Sequence, residues 1–251
     1  MRNPFVLVCS VETELSPLIT RLGDVRPFSC GDRTAWLGQV DAAPCIALAA
    51  GMGKTNAAHA LTALLGRVEV AAVVGFGVGG AYQRSGLAIG DVAIATSEVY
   101  GDEGVETPDG WISCEGIGIP LVDSPEPGFN HFSVDDELSA LFASDARNGA
   151  GMQRGSFVTV SCCSGTSARG DALADRFGAI CESMEGAAYA HIAALYSLPF
   201  AEIRGISNLV VDRDLSAWKL QEAADAAAER VMAGLEHAAS FPMGGQSATP
   251  Q

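Results

Sequence analysis

The chain has 251 residues, 48% of them hydrophobic, and thirty acids against fifteen bases leave a formal charge of −15. That length and apolar fraction suffice for one α/β domain with a sizeable core. The sequence holds no Lys/Arg cluster, which argues against a nucleic-acid partner, and no apolar run of membrane-spanning length.

"MRNPFVLV" runs straight into a strand without a signal-peptide core, so a soluble cytoplasmic protein with reduced thiols is expected. The seven cysteines (9, 30, 45, 114, 162, 163, 181) are odd in number and show neither a disulfide framework nor metal spacing. The vicinal pair in "SCCS" has no His nearby, and neither metal nor cofactor is expected.

In chain order, the pattern predicts a strand at 5–10, then a helix at about 13–22 with Pro17 in its first turn. Strands at 34–40 and 44–50, a helix at 54–66 and strands at 70–76 and 91–99 follow. A helix at 135–147, a strand at 155–161, a helix at 167–177 and a strand at 178–182 come next. The series closes with a helix at 184–197, a strand at 199–206 and a helix at 217–237 capped by Ser216. "SFPMGGQSATPQ" (240–251) reads as a disordered tail, which leaves 1–239 as a single domain. Strands such as "AAVVGF" are apolar on both faces, as in a sheet covered on both sides. The expected architecture is a three-layer α/β/α sandwich around a central twisted mixed sheet. The Gly-, Pro- and acid-rich stretch 100–132 breaks the rhythm. Its length and its aromatics (Trp111, Phe129, Phe132) point to a structured lid or a subunit contact.

Ligands in open α/β sheets lie beyond the carboxyl ends of strands, so polar residues that follow apolar strands are the candidates. They are Glu12 and Glu14, "GMGKT" (51–55), "GFGVGG" (75–80), "ESMEG" (182–186) and Ser207-Asn208. Two of these imitate other motifs. "GFGVGG" fits the dinucleotide fingerprint, but no helix follows to hold a pyrophosphate. "GMGKT" lacks the first glycine of a phosphate-binding loop, since Leu48 stands there, and reads as a turn into helix 54–66. In "ESMEGAAYAH", Ser183 is placed to cap a helix from Met184, with Glu185 in a first turn that favours an ionised carboxylate.

"VETEL", "AGMGKTNAA", "GFGVGG", "ESMEGAAYAH" and "IRGISN", in that order, resemble the purine nucleosidase/phosphorylase superfamily, in particular its hydrolytic branch. The resemblance spans about residues 5–237 and is most specific in the pairing of Glu185 with Asn208. It implies that Glu185 binds the ribose hydroxyls, that Met184 and Met52 line the sugar, and that Gly77, Gly79 and Gly80 approach it. Glu14, rather than Glu12, falls at the acid that activates water. The "SCCSGT" segment, Thr166 included, passes by the base, and Asn208 faces the purine N7/position-6 edge. The adenosine-cleaving members carry Asp at this last position. An amide accepts from N7–H and donates to O6 at once, which suits a 6-oxopurine. The resemblance therefore implies release of hypoxanthine from futalosine, on the route to menaquinone, by a homo-oligomeric enzyme with a small nucleoside substrate. It leaves open which Arg (84, 169 or 213) meets the substrate's carboxylate tail and what protonates N7. Adenosine-type hydrolysis, phosphorolysis and non-catalytic nucleoside binding are the alternatives. Lys54 is the one cation near the early glycine turns, too little for a phosphate pocket.

Overall fold

The computed structural model describes residues 2–123, 126–143 and 151–240. β1 (Phe5–Cys9) lies between β4 (Ala43–Ala49) and β5 (Ala72–Tyr82), parallel to both. β3 (Arg33–Val40) and β2 (Gly23–Cys30) extend this side antiparallel, ending at β2. On the other side β12 (Phe200–Val210) runs parallel to β5 and antiparallel to β6 (Val92–Tyr100). β10 (Met152–Thr159) and β11 (Ala179–Ser183) follow in parallel. β11 then pairs back onto β5 through Cys181–Ala81 and Glu182–Gly80. The mixed sheet is thus curled, at this end, into a closed ring of five strands.

The faces of the sheet alternate as a doubly covered strand requires. Val6 and Val8 of β1 face α2 (Lys54–Leu65) and α5 (Gly186–Leu195), where Leu61 and Ala187 are buried. Phe5 and Leu7 face α1 (Glu12–Ile19), α3 (Asp136–Ala143) and α6 (Leu220–Ser240), through Leu15, Phe142 and Val231. α4 (Ser167–Phe177) covers the ring where Tyr82, Val158 and Val210 meet. The three expected layers are present.

Several expectations are corrected. β2 has no counterpart in the sequence reading: most of its side chains are exposed, so it lacks alternation, and Pro27 is tolerated on an edge strand. Pro17 sits in the second turn of α1, which stops at Ile19. α5 begins at Gly186, leaving Glu185 at the N-cap rather than in the first turn. Ser216 caps nothing; it lies in the short turn Leu215–Ala217, where Asp214 accepts from its N–H (2.9 Å) and hydroxyl (2.7 Å), and α6 starts later. Stretch 100–132 contains the hairpin β7 (Gly104–Thr107)–β8 (Gly110–Ser113) and the start of β9 (His131–Ser133), which pairs with β6. The Pro-Asp-Gly sequence (108–110), with Pro108 and Asp109 in the loop, was its legible signal. Buried Asn130 ties this stretch down, accepting from Cys114 N–H (2.8 Å) and donating to the Tyr100 and Glu103 carbonyls. Residues 144–147 of the expected helix and tail residues 241–251 lie outside the described residues.

Two of the candidate segments expected after strands lie within them. β5 continues through "GFGVGG" to Tyr82, and β12 passes Ser207-Asn208 with a register shift between Ile206 and Asn208. Such a bulge re-aims side chains.

Candidate active site

Glu14 is carried in the first turn of α1 and is buried. Its Oε2 accepts from Ser10 N–H (2.8 Å), Ser10 Oγ–H (2.6 Å) and Val11 N–H (3.1 Å). Among the described residues, Oε1 accepts only Val78 N–H (2.8 Å), so one oxygen is held and the other keeps a lone pair free. That free side lies against Gly77: a Cβ there would stand 2.5 Å from Oε1, and φ is +147°, in the region that favours glycine.

The peptide of Val78 links Glu14 to the next charge. Its carbonyl accepts from Arg204 Nη1 at 3.0 Å. Arg204 lies in β12, is almost wholly buried, donates from Nε to Glu202 Oε1 at 2.6 Å, and places Nη2 3.7 Å from Glu185 Oε2. Glu185 Oε1 accepts from Gly53 N–H at 2.8 Å. The turn "GMGKT" is thereby tied to the N-terminus of α5, and Tyr189 on that helix donates to the Cys9 carbonyl (3.0 Å) at the end of β1. Burial raises the Glu185 pKa above the usual carboxylate range; Arg204 and the Gly53 N–H oppose this, and Glu14 and Glu202 add to it. Beside the favourable helix terminus expected from the sequence, the structure adds desolvation of the carboxylate and Arg204 as its counter-charge.

Of the sequence candidates, Glu14, Gly77 and Glu185 share this network. Met52, exposed, flanks Gly53, and Met184, half-buried, precedes Glu185. Gly79 and Gly80 make room for protein side chains: a Cβ on Gly79 would meet Cys181 Sγ at 2.5 Å, and one on Gly80 would meet Asn208 Nδ2 at 3.2 Å. Thr166 is the N-cap of α4, accepting from Arg169 N–H at 3.3 Å, and is exposed.

Asn208 lines a cavity of about 130 Å³ with Ile89, Ser164, Val211, Arg213 and Trp218. Its Oδ1 accepts from Ser207 Oγ–H (2.8 Å) and its Nδ2 donates to the Leu209 carbonyl (3.1 Å). One N–H and one lone pair of the amide remain for a ligand. Of the three arginines considered for a carboxylate tail, Arg213 lines this cavity, its guanidinium 4.7 Å from the Trp218 ring centre. Arg84 is paired with Asp175, and Arg169 donates to the Cys162 carbonyl at 3.1 Å. Lys54 is held between Asp102 (2.6 Å) and Glu103 (2.7 Å).

The sequence reading gave no role to Arg204, Glu202, Glu98 and Glu182, although Arg204 stands in "IRGISN" and Glu182 in "ESMEG". The first two were legible as charges inside an apolar strand, "FAEIRGIS". Glu182 accepts from Ser164 N–H (2.8 Å), Ser164 Oγ–H (2.7 Å) and Tyr82 OH (3.2 Å), and fixes a wall of the cavity.

Comparison with known proteins gives the family. A futalosine hydrolase of Thermus thermophilus is 33% identical over 198 residues, 78% of this chain and 83% of the relative. One from Streptomyces coelicolor is 32% identical over 191 residues, 73% of this chain and 75% of the relative. The fold matches a 5′-methylthioadenosine/S-adenosylhomocysteine nucleosidase of Neisseria meningitidis solved with methylthio-immucillin-A, with a TM-score of 0.82 at 23% identity, covering 94% of this chain and 99% of that one. The phosphorylase superfamily model matches residues 4–239, from the entry to β1 almost to the end of α6. The chain belongs to the phosphorylase superfamily.

Proposed function

We propose that this protein is a nucleoside N-glycosyl hydrolase that cleaves futalosine and releases hypoxanthine. The observation that carries the substrate assignment is Asn208, whose amide keeps one donor and one acceptor unused beside a cavity. Hypoxanthine with a protonated N7 offers the complement, an acceptor at O6 and a donor at N7. The futalosine hydrolases among its relatives support the same reading.

In this reading Glu185 accepts hydrogen bonds from the ribose hydroxyls. Those bonds strengthen as positive charge develops on the sugar in an oxocarbenium-like transition state. Glu14 Oε1, with its free lone pair beside Gly77, takes a proton from water as the water oxygen bonds to C1′. Such base catalysis contributes about 10²–10⁴-fold. The C1′–N9 bond pair passes to the base, which takes one proton from solvent and leaves as neutral hypoxanthine against Asn208, while Glu14 returns the water's proton to solvent. Met52 and Met184 pack on the sugar side, and Arg213 is the cation best placed near the base cavity for an anionic group.

Phosphorolysis is disfavoured because Lys54 is already neutralised by Asp102 and Glu103 and because Glu14 would repel phosphate at the nucleophile position. The reading includes a cytoplasmic homo-oligomer. Exposed Met52, Leu215 and Leu220 support the oligomer, which sedimentation tests; among the described residues no helix is long and apolar enough to cross a membrane. The decisive assay is chromatographic detection of free base from futalosine, inosine and methylthioadenosine, with and without phosphate. Phosphate-independent release of hypoxanthine from futalosine is expected. Preference for methylthioadenosine, or dependence on phosphate, refutes the assignment.

A further inference from the structure

Behind Arg204 lie two carboxyl groups that the proposed mechanism does not use. Glu98 of β6 and Glu202 of β12 are both wholly buried. Glu98 Oε2 accepts from Thr159 Oγ–H at 3.0 Å, and the same Thr159 oxygen accepts from Ala187 N–H at 2.7 Å, so the proton on that hydroxyl is already committed. Glu202 Oε1 accepts from Arg204 Nε at 2.6 Å. Among the described residues, no donor reaches the remaining oxygens, Glu98 Oε1 and Glu202 Oε2. Both turn toward Gly186, at the first turn of α5: they crowd the position its Cβ would take, Glu202 Oε2 at 2.5 Å from it. Two ionised carboxylates so placed would leave two acceptors buried, unsatisfied and mutually repelling, against a single guanidinium.

One proton removes all of these faults. We infer that Glu98 is protonated at neutral pH and donates from Oε1 to Glu202 Oε2, making Glu98 a positioning residue that keeps Glu202 a single anion bound to Arg204. Arg204 then keeps its place between the Val78 carbonyl and Glu185. Glycine at 186 is required because any side chain would part the pair. Burial, and next the charge of Glu202, raise the Glu98 pKa well above the usual carboxylate range; Arg204 and Thr159 oppose them. Among the described residues, the other ionisable groups around the cluster are Tyr100 on β6, Cys181 on β11, Glu185 beside α5 and Tyr189 on it, Glu14 on α1 and Cys9 on β1. Burial raises the pKa values of Tyr100, Cys181, Tyr189 and Cys9, which leaves Arg204 as the cation facing the pair.

The positioning half of this inference rests on reading Glu185 as the sugar-side carboxylate, whereas the shared proton does not. Infrared difference spectroscopy of the intact enzyme therefore tests the proton without substrate. A carbonyl band of a buried carboxylic acid is expected at neutral pH in the wild type and is expected to vanish in Glu98→Gln. Its absence from the wild type, or its survival in the variant, overturns the proposal. Thermal stability provides a second reading. Folded Glu98 keeps a proton that the unfolded chain loses above the ordinary carboxylate pKa. Its contribution is complete below that pKa and is lost as pH rises through the folded value. Glu98→Gln should therefore gain stability relative to wild type as pH rises, and a pH-independent difference counts against the shared proton. In turnover, Glu98→Ala should lower kcat by roughly 10- to 100-fold through misplacement of Arg204 and Glu185. Glu98→Gln, which donates to Glu202 and accepts from Thr159, should restore it, while Glu202→Gln should not be tolerated. Equal loss in Glu98→Ala and Glu98→Gln, with the infrared band present, refutes the positioning role alone.

Discussion

Asn208→Asp changes one atom, and the structure separates its two effects. The first is on the folded enzyme. Nδ2 donates to the Leu209 carbonyl at 3.1 Å, and an oxygen there would set two acceptors in contact. Loss of that bond, with the carbonyl left unsatisfied, costs about 1–3 kcal/mol, visible as a lower Tm. The second effect appears only with substrate. The amide's remaining N–H is the donor that meets O6, and a carboxylate opposes O6 with a second acceptor. The missing bond is again about 1–3 kcal/mol, or roughly 5- to 150-fold in kcat/KM, and opposed buried acceptors extend discrimination to the order of 10⁴-fold. Ser207 Oγ, which donates to Oδ1 at 2.8 Å, keeps its partner in the variant, so the side chain need not leave the cavity. Hypoxanthine release from futalosine, followed chromatographically at several substrate concentrations, should fall by at least about fivefold in kcat/KM. The ratio of methylthioadenosine to futalosine cleavage should rise. Unchanged futalosine turnover in a variant that folds would refute the reading of the amide.

Glu14→Gln should abolish hydrolysis, by about 10²–10⁴-fold, while calorimetry still detects nucleoside binding. It also turns an NH₂ toward one of four donors that now point at the carboxylate, so a lower Tm is expected; normal turnover would show that Oε1 is not the base. Gly77→Ala places a Cβ 2.5 Å from Oε1 at a φ of +147°, for about 1–3 kcal/mol of strain and about a 10²-fold loss of kcat from a displaced carboxylate. Wild-type kcat with a lower Tm would separate that glycine from the reacting oxygen. The acid limb of kcat/KM should lie above the range of an ordinary glutamate, because burial raises the Glu185 pKa and the ribose needs the ionised form. A limb at the ordinary carboxylate position would mean that Glu185 does not govern it. The same raised pKa makes the stability contribution of Glu185 present at acid pH and lost as pH rises through its folded value.

The sequence alone was enough for the layered α/β architecture and for singling out Glu14, Glu185 and Asn208 as candidates. Apolar runs such as "FVLVC" and "AAVVGF" impose a doubly covered sheet whatever the connections, because both faces of each strand must be buried. Glu14, Glu185 and Asn208 stood out because polar groups follow such runs at the edge where ligands bind, and because the order of their motifs resembles that of the superfamily. What needed the tertiary structure was everything set by contacts distant in the chain. β2 became a strand because β3 offered an edge, and β5 and β12 ran past their apolar stretches because each supplies the other's hydrogen bonds through to Val210 and Tyr82. The charges inside "FAEIRGIS" could be read as anomalous, but not as a connection. Only the ring of strands brings Arg204 to the peptide of Val78 and to Glu185, and sets Glu202 across Gly186 from Glu98. Protonation states belong to that second class, since burial and neighbouring charge decide them and neither follows from the order of residues.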